Sequence, residues 1–65
     1  MSKTPREATR AATRQLEYLK RSAIHFTTME EEGHPEIIMA SARKQLIQAA
    51  RDYTSAMREL KSFDE

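Results

Sequence analysis

The chain has 65 residues, no cysteine and a formal net charge of +1, which limits it to one domain and excludes both a disulfide framework and a thiolate metal site. A chain this short buries only about 60% of the surface it exposes when unfolded, so it needs close helix packing, oligomerisation or both. No apolar run approaches the 18 residues of a membrane span, no apolar signal-peptide core follows Met1, and a cytoplasmic location is the expectation.

The near-neutral total conceals a pattern. Residues 1–28 hold six Lys or Arg against two Glu, residues 29–36 hold four Glu, and the remainder holds five basic against four acidic residues. Two mildly basic arms therefore flank an acidic middle. This is not the uniformly basic balance of a chain that lives on nucleic acid, although local basic faces can still meet phosphates.

After a polar leader, Met1 to Lys3, a helix start is plain. Thr4 supplies a capping hydroxyl, Pro5 occupies a position where the missing N–H costs nothing, and Glu7 places a carboxylate at the positive helix end. The spacing predicts a helix over about 5–31. Its apolar seam steps by four and three through Ala12, Leu16, Leu19, Ala23 and Phe26. Ala8, Ala11, Tyr18 and Met29 flank that seam and widen the apolar arc to roughly 160°. The first 28 residues share an Arg-, Ser- and Thr-rich composition with mitochondrial transit peptides, but Glu7, Glu17 and this stripe argue for a structural segment.

Glu30 to Glu32, Gly33, His34 and Pro35 then read as a break, with a turn at about 32–34. Glycine can take the left-handed conformation that closes a helix, and proline can open the next. So short a connection folds two long helices back antiparallel. The three glutamates oppose the helix dipole, which gives the tip a role in solubility or recognition rather than helix stability.

A second helix is expected over about 35–62. Met39, Ala42, Leu46, Ala49, Tyr53, Ala56, Leu60 and Phe63 form its heptad seam, alternating a small position with a large one so that neighbouring helices can interdigitate. Ile38, Ala50 and Met57 form a second apolar flank. Two such arcs exceed what one hairpin can hide, and each exposed Leu or Met forfeits roughly 1.5–3 kcal/mol. The fold class expected is therefore all-α: a long antiparallel helical hairpin, dimerising into a four-helix bundle. Leu16, Leu19, Phe26, Met39, Leu46, Tyr53, Met57 and Leu60 are its expected core and dimer seam.

No catalytic, cofactor or metal motif stands out. Glu30, Glu31, His34 and Glu36 are close in sequence, but Gly33 and Pro35 break the spacing that would converge them on an ion. His25, at the border of the apolar face, reads as a structural histidine. With no nucleophile beside a base and no glycine-rich phosphate loop, the chain is read as non-enzymatic, with no cofactor.

Two outer isoleucines do not fit a plain solvent face. Ile24 and Ile47 fall outside the apolar arcs among basic residues, and folding the hairpin sets them at heights about 6 Å apart. Apolar anchors rimmed by Arg21, Arg43, Lys44 and Arg51 have the composition of a protein-binding hot spot. The alternative is a nucleic-acid interface on Arg10, Arg14, Arg21, Arg51 and Arg58, for which interleaved aromatics are lacking.

In length, turn position and heptad layout the expected architecture is similar to the small plasmid-encoded Rop-type RNA-binding hairpin dimers, a resemblance that implies no functional residues. Small cysteine-free helical chains also recur among phage and plasmid accessory proteins that inhibit or redirect a host protein. The function expected is regulatory binding of a host protein, such as a transcription regulator, as inhibitor or adaptor. Its partners would be a second copy of itself and that protein, with nucleic acid the second choice and no membrane.

Overall fold

The computed structural model describes residues 4–64, and of Asp64 the backbone alone; the polar leader Met1 to Lys3 lies outside the described residues. Among the described residues two helices, α1 (Pro5–Glu32) and α2 (Glu36–Lys61), pack against each other, and a 3₁₀ turn (Ser62–Asp64) follows α2. Their pairing is antiparallel. Ala11 and Gln15, near the start of α1, line one depression with Asp52, Ser55, Ala56 and Glu59, while His25 and Met29, near its end, line another with Ile37, Ile38 and Ala42.

The helix ends are where the sequence places them, within a residue. Thr4, in extended conformation, accepts a hydrogen bond at its hydroxyl from the Glu7 amide at 3.2 Å, and Pro5 follows at the first helical position. At the other end Gly33 adopts φ 75° and ψ 35°. The Gly33 amide donates to the Glu30 carbonyl at 3.1 Å and the His34 amide to the Met29 carbonyl at 3.3 Å. These two bonds satisfy carbonyls that would otherwise be orphaned at the helix end, the pairing of a Schellman cap. No atom lies within 4 Å of where a Gly33 Cβ would sit, so conformation and not space demands glycine there.

Pro35 differs slightly from expectation. It caps α2 from outside rather than starting it, with its carbonyl accepting from both the Ile38 and Met39 amides at 3.0 Å. No side chain caps this end, and Glu36 in the first turn complements the dipole instead. The far end of α2 is favourable too, because Arg58 and Lys61 lie in its last turn and the Ser62 hydroxyl donates to the Glu59 carbonyl. Phe63, expected to continue the α2 seam, falls in the 3₁₀ turn and is exposed.

The core is built from small residues. Ala8, Ala12, Met39, Ala42, Ala49 and Ala56 are buried, and no large side chain is fully buried among the described residues. The alanine ridge of α2 is thus the contact line expected from its heptads. On α1 the stripe is rotated relative to the expected seam: Ala8, placed on the flank by sequence, is almost wholly buried, whereas Thr9 beside it is exposed. Gln15 and Ser22 are half-buried together with Leu16, Leu19, Ala23, Phe26 and Met29. Against a ridge of methyl groups the short Ser22 fits as well as an apolar residue, so the inner line runs between the two heptad registers.

What remains outside is large. The hairpin measures 45 × 18 × 15 Å with a radius of gyration of 14.7 Å, against about 11 Å for a compact domain of this length. Its accessible surface is 5331 Å², whereas a compact monomer of this mass exposes about 4,250 Å². Tyr18, Ile24, Ile37, Ile38, Ile47, Met57 and Phe63 are all exposed. The sequence reading missed Ile37, which is 83% exposed.

Candidate functional site

Seven-residue spacing gives the hairpin two broad faces, and the two are chemically unlike. One is defined by the depressions where Ala11, Gln15, His25 and Met29 of α1 meet Ser41, Gln45, Asp52 and Glu59 of α2. Apart from Ile37 and Ile38 by the turn, its α2 edge is polar; Ile38 therefore lies across the seam from Ala50 and Met57 and does not form one flank with them as expected. The opposite face carries Leu16, Lys20, Ala23 and Thr27 from α1 and Arg43, Ala50 and Met57 from α2, beside the half-buried Leu46 and Tyr53. Met57 is 39% exposed there. Of the expected core and dimer seam, Met39 alone is buried within the hairpin; Leu16, Leu19, Phe26, Leu46, Tyr53 and Leu60 are half-buried.

The outer side of α2 is the most distinctive surface. Ile47, 47% exposed, lies where two shallow depressions adjoin: one of about 310 Å³ shared with Ala40, Arg43, Lys44, Gln48 and Arg51, the other of about 460 Å³ shared with Ala50, Arg51, Thr54, Ser55 and Arg58. Both are lined wholly by α2. Lys44, Arg51 and Arg58 have no ion-pair partner among the described residues. Their charges are thus available to an incoming anionic group. Thr54 turns its hydroxyl back to the Ala50 carbonyl at 2.8 Å, leaving its methyl to the surface.

Arg43 is held differently. Its guanidinium pairs with Glu36 at 2.9 Å and sits 5.8 Å from the Phe26 ring centroid. The pair is exposed, so it contributes about 0–1 kcal/mol, and the ring contact adds a comparable amount of order 0.5–1 kcal/mol. Arg43 therefore bridges α2 to α1 at the tip end rather than standing free beside Ile47.

On α1, Ile24 is 66% exposed and lines none of the depressions that hold Ile47. Arg10, Arg14 and Arg21 are exposed on α1, without an ion pair among the described residues. They share one side of that helix at the spacing of turns. At the tip, the His34 ring contacts Glu32 at 3.0 Å, and among the described residues no three His, Asp or Glu converge as a metal site would require. His25, expected as a partly buried structural histidine, is instead exposed, beside Met29 and Ile38. Among the described residues no helix is long and apolar enough to cross a membrane. Compared with protein-family models, with curated proteins and with solved structures, the chain finds no match.

Proposed function

We propose that this protein is a small non-enzymatic regulator that dimerises as a four-helix bundle and acts by binding another protein, as an inhibitor or adaptor, through the outer side of α2. One observation carries the reading: an exposed isoleucine, Ile47, stands between cations that have no ion-pair partner among the described residues, Lys44, Arg51 and Arg58. Apolar anchors with an arginine rim are where protein interfaces concentrate their energy. The complementary partner surface is acidic around an apolar pocket. Charge of that sign speeds encounter, and the isoleucine sets the lifetime of the complex.

Capture of partners from lysate on the tagged protein, with and without nuclease, tests this. A discrete protein retained after nuclease and lost with Ile47→Ser supports the reading. Retention that disappears with nuclease would overturn it in favour of an RNA- or DNA-binding regulator. That second reading draws on Arg10, Arg14, Arg21, Arg51 and Arg58, exposed and without an ion pair among the described residues, and it requires affinity to fall steeply with salt as counterions are released.

A further inference from the structure

We propose that two copies of the hairpin pair through the Leu16–Ala23–Ala50–Met57 face, with the tip of each against the open end of the other, and that this pairing joins the two Ile47 surfaces into one. The inference rests on the dimer and on the α2 surface proposed above, and adds which face pairs, in which direction, and what site results.

The choice of face follows from its chemistry. On α2, the flank towards Ala50 and Met57 is apolar through the middle of the molecule, whereas the other flank presents Gln45, Asp52 and Glu59. Pairing the polar flank would bury the carboxylates of Asp52 and Glu59, and pairing the other buries Met57 with the half-buried Leu16, Leu46 and Tyr53, with Thr27 and the long stem of Lys20 at its α1 edge. The area suffices. The hairpin exposes about 1,100 Å² more than a compact chain of its mass, and a standard interface takes about 800 Å² from each partner.

Charge fixes the direction. The tip carries Glu30, Glu31, Glu32 and Glu36, while the open end carries, among the described residues, Arg6, Arg10, Arg58 and Lys61 against Glu7, Glu59 and Asp64, a small basic excess. Tips together would gather four carboxylates from each copy at one end of the bundle. Tip against open end brings Glu36 to the level of Lys61 of the second copy, and Glu31 to the level of its Arg6.

Symmetry then settles the site. In this direction the two-fold axis runs across the bundle and stacks α2 on α2 of the second copy, antiparallel and about 8–10 Å apart. Mid-height of the hairpin falls between Gln48 and Ala49, so Ile47 stands only about 2 Å along the helix from the axis. Ile47 lies about 140° around α2 from Ala42, towards the Met57 flank, so it points outward and leans to its copy. The two isoleucines form one apolar centre, framed by Lys44, Arg51 and Arg58 of both chains. Such a surface fits a partner that is itself two-fold symmetric and acidic, or a single acidic segment lying across the axis. With tips together, α2 would stack on α1 and the isoleucines would lie on opposite sides.

The absence of native cysteine makes the test direct. With spin labels on His34→Cys, the dimer should give one distance near the molecular length of 45 Å. In parallel, Ile47→Cys should be joined to its copy in high yield by a bismaleimide spanning about 10 Å, comparable to the interhelical spacing. Met57→Glu should raise the dimer dissociation constant at least tenfold, and Tyr18→Glu on the opposite face should leave it within twofold. A His34 distance near 10 Å, or no cross-link at position 47, overturns the proposed direction while leaving dimerisation intact. A chain that sediments as a monomer at all concentrations removes the dimer itself, and the single-copy Ile47 surface is then judged by partner capture alone.

Discussion

The line between the two helices and the flanks beside it are made on opposite principles. Ala8, Ala12, Ala42, Ala49 and Ala56 close the line completely, yet each contributes little apolar area. The flanks carry the large side chains, Leu16, Leu46, Tyr53 and Met57, and leave them partly in water. A hairpin assembled this way gains precision from its seam, because methyl groups let the helices approach closely and admit nothing larger. Its unspent hydrophobic energy lies on the flanks. Folding and the proposed association would therefore rest on different residues, and substitutions can address one without the other.

The largest expected effect breaks the seam. Ala49 has no exposed surface, so Ala49→Leu forces extra volume between helices that are already in contact, at a cost of about 1–3 kcal/mol. For a domain whose core supplies no more than about 3–5 kcal/mol, that is a large share. The same change at exposed Ala40 should stay within about 0.5 kcal/mol. Urea unfolding followed by helical circular dichroism compares the two. Equal destabilisation would mean that Ala49 is not the contact point of the helices.

This contrast also explains what is legible in the amino-acid sequence alone. The helix ends were legible because each carries several independent requirements: Thr4 for a hydroxyl, Pro5 for a lost donor, Gly33 for a positive φ. The α2 seam was legible because its alanines recur every seven residues. The inner line of α1 was not, since hydrophobic periodicity weights Leu16 and Ala23 above Gln15 and Ser22, and an alanine ridge accepts either register. Ile37 escaped because, one residue into the first turn of α2, it belongs to no stripe. The grouping of Ile47 with Lys44, Arg51 and Arg58 could be drawn from the helical wheel, but the engagement of Arg43 by Glu36 and Phe26 depends on the fold.

A smaller effect is expected at the turn, which belongs to neither region but sets their register. Gly33→Ala puts a Cβ into the left-handed region, for about 1–2 kcal/mol. On a chain of this size that lowers the melting temperature by about 4–8 °C for each kcal/mol. Gly33→Asn should lose less, because asparagine tolerates this conformation. Thermal melts of the two variants decide whether the demand is conformational: since nothing lies within 4 Å of the new Cβ, equal losses would point to some other cause.

The smallest effect sharpens the division between folding and association by changing sign between them. Glu31 sits in the last turn of α1, where a carboxylate opposes the helix dipole and no basic residue offsets it. Glu31→Gln should stabilise the isolated hairpin by about 0.3–1 kcal/mol at low ionic strength. High salt should erase the gain. In the proposed tip-to-open-end dimer the same carboxylate would face a basic end, so its removal should weaken association while it strengthens the helix. Melting at low protein concentration reads the first effect, and sedimentation equilibrium reads the second. Opposite signs are expected because one charge is unfavourable to its own helix and favourable to a second copy; equal signs would mean that the acidic tip has no basic counterpart in the assembly.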